Sequence, residues 1–481
     1  MNTMTESTTL TEEQKVLDMD ANTLAKMIAH KQITSYRATE IYIEQINKIN
    51  PVLNFLVENR FEAALNEASE ADQLLKENKG KGKLFGVPMS MKESFDVIGM
   101  QTTGGLLNRK GLIQTTDSDV VQKLKDEGAI ILGKTNTPAL CFCQETDNKI
   151  YGRTNNPWDV TCTAGGSSGG EGVLIAVGGA TAGVGSDIGG SIRFPSHFNG
   201  VVGFKSGRGQ VSSTGSFPVE NNELEKRMLG IGPITKTVED AKYIYNIIAN
   251  TPAPDQNLSN YSVSVLPKMD YPLSAETEAL VDSVFSYVKD HFETDRSIPP
   301  LFKETTQLWQ EIMSIDSAKK QKELAYGDKP IRPIRSFINE KVRGKSDLHH
   351  YLSWALIGAS LFKPSDQRIN EITEIIASGD KDVSKYLHDK ILISPVYHST
   401  APKHGGVFKE IFSIRKTFRQ YLPYISYANV WGLPSLTVPV GKDNSGMPIG
   451  IQLMCKNGNE DAVFQLGEQI EKEFLGYVRY E

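Results

Sequence analysis

The stretch Gly185-Ser186-Asp187-Ile188-Gly189-Gly190-Ser191-Ile192-Arg193 sets a serine directly after two glycines. Glycines permit a turn in which successive backbone N–H groups converge on one spot, which is how an oxyanion hole is built. A serine at the end of such a turn can attack a carbonyl carbon whose oxygen rests in the hole. The surrounding segment, 163–209, has the same character: glycine is dense, and short runs such as Val173–Val177 and Val201–Phe204 interrupt it. One long element cannot be made from it. The segment predicts tight turns joining short helices and strands, where backbone approaches something closely, and so an α/β protein.

A serine nucleophile needs a base. Upstream, the apolar stretch Leu84–Met91 reads as a buried strand with Lys92 at its end, where an unpaired charge is costly. Side chains alternate along a strand, so Glu93 projects to the opposite face, while Ser90 and Ser94 share the face of Lys92. Desolvation without a neighbouring carboxylate favours the neutral amine, the form able to accept a proton. An ordinary lysine, with a pKa near about 10.4, is neutral roughly once in a few thousand molecules at pH 7. Efficient work near neutrality asks the site to bring it to about 7, a difference of ~4 kcal/mol. Spacing alone leaves open a lysine whose ammonium snorkels to the surface.

Outward from this centre, the N-terminal part reads as helical. Thr34 or Ser35 caps a helix with an apolar side of Ala38, Ile41, Tyr42, Ile46 and Ile49 that ends before Pro51. A second helix covers roughly 61–79. Val120–Lys125 is helical and Ala129–Leu132 a short buried strand. Thr237 with Asp240 resembles a capping box before a helix over Ala241–Ala249. Within one domain spanning 1–481, residues 15–80 supply N-terminal helices and 84–250 the catalytic core. Residues 250–425, more polar, read as a variable helical insertion, and 425–481 return to the core through the apolar run Leu436–Val440. The stretch Leu348–Phe362 is apolar on all sides, too short to span a bilayer and too apolar for a plain surface helix. It is either a lid or interfacial helix, with Trp354 and Leu356 shaping substrate entry, or a helix buried in the insertion or at a homodimer interface.

A formal net charge of −6 argues against a general polyanion-binding role, so nucleic acid is not an expected partner. The opening residues MNTMTESTTL contain neither a basic stretch nor an apolar run, no transmembrane segment is expected, and four scattered cysteines suit reduced thiols. Together these predict a cytoplasmic location. Cys141 and Cys143 fit no common zinc spacing, and the pair His349 and His350 shows no metal-ligand pattern, so no metal site is expected. Gly128–Thr135 matches the phosphate-loop pattern letter for letter, but its four middle residues are the apolar core of a strand. Gly165–Gly169 satisfies the Gly-x-Ser-x-Gly elbow, with His398 or His404 as base, yet 158–164 makes a poor preceding strand. Two Ser-x-x-Lys matches, Ser360 with Lys363 and Ser413 with Lys416, lack the motifs that accompany this pattern in penicillin-binding enzymes.

Three phrases carry a more specific likeness: Gly152-Arg-Thr-Asn-Asn-Pro-Trp158, Gly165-Gly-Ser-Ser-Gly-Gly170 and Ser186-Asp-Ile-Gly-Gly-Ser-Ile-Arg-Phe-Pro-Ser196. With Pro88–Ser94 as a lysine strand and Lys134-Thr135-Asn136 as the next strand, the chain resembles the amidase signature family from about residue 15 to its C-terminus. The resemblance implies a single-domain α/β fold, a large mixed twisted β-sheet covered by helices on both faces. It also implies Ser191 as nucleophile, Ser167 as bridging serine after a cis Gly166–Ser167 bond, and Lys92 as base. The N–H groups of Ile188, Gly189, Gly190 and Ser191 would hold the oxyanion, a small-molecule amide would be the substrate, and no metal or organic cofactor has a role. Thr137-Pro138, Glu171, Ala401-Pro-Lys-His404 and Gly432-Leu-Pro434 are similar in wording to fatty-acid amide hydrolases, a likeness that puts Cys141, Phe142 and Ser168 at the substrate. Ser206 departs from the proline usual after Gly203-Phe-Lys205. The alternative within the family is the ammonia-supplying component (the A component) of a tRNA-dependent glutamine amidotransferase.

Overall fold

The strand ending in Lys92 is third from one edge of a large mixed sheet. The computed structural model describes residues 11–220, 222–411 and 418–481. Among these, eleven strands form the sheet: β1 (Leu56–Asn59), β2 (Pro88–Lys92), β3 (Ile130–Thr135), β4 (Ala182–Asp187), β5 (Val202–Lys205), β6 (Gly230–Thr235), β7 (Ser262–Val265), β8 (Thr294–Asp295), β9 (Lys390–Pro395), β10 (Ser435–Lys442) and β11 (Pro448–Met454). Their order is β1-β3-β2-β4-β6-β5-β10-β11-β9-β7-β8. β3, β2 and β4 run parallel, as do β9, β7 and β8, and antiparallel pairs join the two groups.

Every residue of β2, β3 and β4 is buried, as in strands covered on both faces, so no polar alternation marks them in the sequence. β2 starts later than its apolar stretch suggests. Leu84–Val87 forms a turn closed by the Val87 N–H on the Leu84 carbonyl, and the ladder begins at Pro88. The phosphate-loop look-alike is strand from its third residue onward.

The helix capped by Thr34 runs Ser35–Leu53 and so passes through Pro51 rather than ending before it. In the last turn a proline removes only one helical hydrogen bond, and the exit is closed instead by left-handed Asn54, whose N–H meets the Asn50 carbonyl at 2.8 Å. The next helix, Phe61–Lys76, stops three residues short of the expected end. Thr237 does cap its helix, accepting from the Asp240 N–H at 3.2 Å, but the helix begins at once and covers Val238–Ile248.

The span 250–425 is more than helices and loops, for it also contributes β7, β8 and β9 to the main sheet. β9 is anchored on β11, more than fifty residues further along the chain, through pairs such as Leu453 with Ile393. Helices pack along the sheet and bury three large clusters. Ile41, Tyr42 and Ile46 meet Val173 and Leu174 in one; Phe204, Tyr245 and Phe464 lie in a second. The third is aromatic, with Phe194, Phe198, Trp309, Tyr397 and Tyr424, and backs the glycine-rich turns. Among the described residues no helix is long and apolar enough to cross a membrane.

Candidate active site

Lys92 is fully buried, which removes the snorkelling alternative. β2 pairs with β4 in parallel, and this brings the end of β4 beside the end of β2. Lys92 Nζ lies 2.7 Å from Ser167 Oγ and 3.0 Å from Ser186 Oγ. Ser167 follows a cis peptide bond from Gly166 and precedes the helix Gly169–Ala176. Burial holds the Lys92 amine below the usual lysine range, opposed in part by Cys141 and by the carboxyls of Asp187 and Glu171.

The two serines expected on the lysine's face have other roles. The Ser90 hydroxyl donates to Glu171 Oε2 at 2.6 Å, and Ser94 Oγ has no partner among the described residues. Burial pushes the Glu171 carboxyl up to about 7, against the lowering effects of Ser90, Thr135 and Lys92. Glu93 does face away from Lys92: its carboxylate accepts from the N–H groups of Thr103 and Gly104 at 2.6 and 2.7 Å.

The glycine turn after β4 is organised around Asp187. Its Oδ1 accepts the Gly190 N–H at 2.8 Å, its Oδ2 accepts the Ile192 N–H at 3.1 Å, and Arg193 donates to both oxygens at 3.0 Å. Burial alone would raise this carboxyl, but the Arg193 guanidinium outweighs it and holds Asp187 well below the usual carboxylate range. Gly190 has φ +94°, and a Cβ there would meet the Phe194 ring at 2.6 Å, so only glycine fits. Because its N–H is taken by Asp187, Gly190 drops out of the expected set of four oxyanion donors. No hydrogen bond within the described residues occupies the N–H groups of Ile188, Gly189 or Ser191. The Ser191 carbonyl accepts from the Ser168 N–H at 3.1 Å, which ties the two serine-bearing turns together.

Two cavities meet at Ser191. The first, about 90 Å³ and mostly apolar, is lined by Phe142, Gln144, Ile188, Trp309, Met313 and Trp354 among others. The second, about 40 Å³, has Ser167, Ser186 and Ser191 in its wall with Phe217, Glu220 and Glu225. Cys141 and Phe142 border both. Ser168 borders neither: it is buried, its hydroxyl 3.5 Å from the Ser186 carbonyl. The apolar run becomes the helix His350–Leu361. Trp354 reaches the first cavity, but Leu356 is fully buried in a separate cluster with Leu140 and Leu352, so it does not shape an entrance.

Among the described residues the rival serine patterns find no partners of the kind they need. No strand precedes Gly165, His398 bonds Glu410, and the His404 ring lies 3.0 Å from the Val160 carbonyl. Ser360 accepts from Lys322 Nζ at 2.6 Å on a helix surface, and Ser413 to Lys416 lies outside the described residues. Ser186, Gln144 and Trp309 are site residues that sequence reasoning passed over. Ser186 lies inside the Gly185–Arg193 stretch, where strand alternation from Val184 could have marked it; nothing local marks the other two.

Comparison with known proteins shows the family to which this fold belongs. Over 493 aligned residues the chain is 31% identical to fatty-acid amide hydrolase 2-B of Danio rerio, with 96% of this chain and 91% of that one covered. It is 29% identical over 479 residues to the A component of the glutamyl-tRNA(Gln) amidotransferase of Trichodesmium erythraeum (strain IMS101), covering 92% and 95%. A solved structure of 6-aminohexanoate cyclic dimer hydrolase superposes with a TM-score of 0.81 over 97% of this chain and 99% of that one, at 22% identity, a likeness of fold. The sequence model described as Amidase matches residues 37–311 and 339–464. An amide-hydrolysing enzyme is what these likenesses support, and the chain belongs to the amidase family.

Proposed function

We propose that the protein hydrolyses small acyl, fatty-acyl or aryl amides through a Ser191–Ser167–Lys92 relay and an acyl-enzyme on Ser191. The observation that carries this reading is the buried Lys92 amine 2.7 Å from Ser167 Oγ, with Ser167 and Ser191 in the wall of one cavity. Ser191 Oγ attacks the amide carbon and passes its proton to Ser167, whose own proton goes to the neutral Lys92. The N–H groups of Ile188, Gly189 and Ser191 receive the oxyanion. The proton returns through Ser167 to the departing nitrogen as the C–N bond breaks, and water then releases the acid from Ser191 by the same relay.

The relay also assigns the two cavities. The leaving nitrogen must be protonated by Ser167, so it belongs in the small cavity that Ser167 borders. The acyl group then occupies the apolar cavity, which Ser191 borders and Ser167 does not. An apolar acyl pocket and the likeness to a fatty-acid amide hydrolase favour amides of hydrocarbon acids. The amidotransferase relative supplies the second reading, a component that passes ammonia to partner proteins, against which the Thr137-Pro138 wording stands.

A serine-directed fluorophosphonate should label the wild type and not Ser191→Ala, while Ser167→Ala keeps slow residual turnover. Labelling that survives in Ser191→Ala but is lost in Ser167→Ala would reverse the two roles. Hydrolysis of fatty-acyl or aryl amides by the isolated chain, without glutamine or partner proteins, separates the amidase from the amidotransferase component.

A further inference from the structure

We propose that Trp309 and Gln144 are positioning residues for the oxyanion turn, and that Trp309 makes turnover depend on how fully the acyl group occupies the apolar cavity. The inference rests on the catalytic reading above. Trp309 Nε1 donates to the Ile188 carbonyl at 2.7 Å, and Gln144 Nε2 donates to the Gly189 carbonyl at 3.1 Å. In a trans peptide the C=O and the following N–H point in opposite directions. Anchoring the Ile188 carbonyl on Trp309 therefore turns the Gly189 N–H to the other side of the turn. Gln144 does the same one peptide later, and there the result is visible: the Gly190 N–H lands on Asp187 Oδ1.

Neither anchor comes from the glycine-rich segment. Gln144 follows β3, and Trp309 lies on the helix Thr305–Ile312. The fit to the turn is close, because a Cβ on Gly189 would stand 2.7 Å from Trp309 Cζ2. Trp309 is only 9% exposed and lines the apolar cavity together with Phe142, Met313 and Trp354. One indole thus touches the acyl group and holds the peptide that would bind the oxyanion. A hydrogen-bond donor fixed in advance lowers the barrier more than one that must reorganise. An acyl chain that packs against the indole and steadies it stabilises the transition state more than the bound substrate, which raises kcat rather than only lowering KM.

The test is a series of primary amides from acetamide to decanamide, with the wild type, Trp309→Phe and Gln144→Met. In the wild type kcat rises with chain length until the cavity is filled. Trp309→Phe keeps the ring but loses the N–H. Its kcat on the longer amides should fall about tenfold, less than the ~10²–10³ lost when an oxyanion donor itself is removed. KM should stay within about threefold, the mark of an interaction made in the transition state. The chain-length dependence of kcat flattens, and the pH midpoint of the reaction does not move, since Lys92 is untouched. Gln144→Met gives the same kcat loss by an independent route, should Trp309→Phe fold poorly. Folded variants with wild-type kcat, or with losses confined to KM, overturn the proposal. A wild type that neither hydrolyses amides nor takes a fluorophosphonate on Ser191 instead overturns the catalytic reading, and this inference with it.

Discussion

At the scale of single residues, the chemistry proposed here turns on one buried amine. Among the described residues Lys92 has two hydroxyl oxygens within 3.0 Å and no carboxylate within hydrogen-bonding distance, and burial is the largest influence on its amine. The sign of the pH dependence follows. The ammonium form cannot accept the relay proton, so kcat/KM is low where Lys92 is charged and rises as it deprotonates. Because burial holds its pKa below the ordinary lysine range, that rise should come at lower pH than the proton loss of an exposed lysine, at about 10.4. Lys92→Ala should lose ~10²–10⁴ in rate at neutral pH, the usual worth of a general base. The check is a pH–rate profile of both proteins, and near-normal activity of Lys92→Ala at pH 7 would remove Lys92 from the mechanism. Asp187 works in the opposite way: it stays charged in the interior because Arg193 and the backbone amides of the turn surround it.

At the scale of elements, the helix His350–Leu361 shows how an apolar run can lack a polar face, because one side meets a cavity and the other a core. Trp354, Ile357 and Leu361 border the apolar cavity, while Leu352 and Leu356 pack into a core with Leu106 and Leu140. An exposed apolar stripe lies on the preceding helix, Pro333–Arg343, where Ile334, Ile338 and Val342 recur at helical spacing. The two sides of His350–Leu361 should therefore separate on mutation. Trp354→Ser should raise KM for long-chain amides and spare short ones. Leu356→Ala should cost ~2–5 kcal/mol of stability, as for a buried leucine truncated elsewhere, and leave the chain-length preference unchanged. Steady-state kinetics and urea unfolding of both variants decide it. A Leu356→Ala enzyme of unaltered stability but altered chain-length preference would return Leu356 to the entrance.

At the scale of the whole molecule, the chain closes its sheet with its last strands. β10 and β11 sit between β5 and β9, and the helix Glu460–Glu473 covers them. Phe464 on that helix meets the rings of Phe204 and Tyr245 at 4.6 and 6.0 Å. Phe464→Ala should destabilise by ~3–5 kcal/mol while the folded fraction keeps its specific activity, since Phe464 borders neither cavity. Denaturant unfolding with activity normalised to folded protein measures both, and a loss of specific activity without a loss of stability would contradict it. The same long-range closure marks the boundary of what can be read from sequence. Glycine turns, strand ends and helix caps are set by neighbouring residues, so the turn at Ser191, the lysine at the end of β2, the cap at Thr237 and, to within one residue, the cap at Thr34 are legible in the sequence alone. Partners far along the chain leave no such local trace. That Lys92 meets Ser186 rather than Ser90 or Ser94 follows from the pairing of β2 with β4, and the strands within 250–425 exist because β11 is there to receive β9. Trp309 and Gln144 reach the glycine turn at Ile188 and Gly189 from 121 and 45 residues away in sequence, and which side of a uniformly apolar helix meets a cavity depends on what the rest of the fold packs against the other.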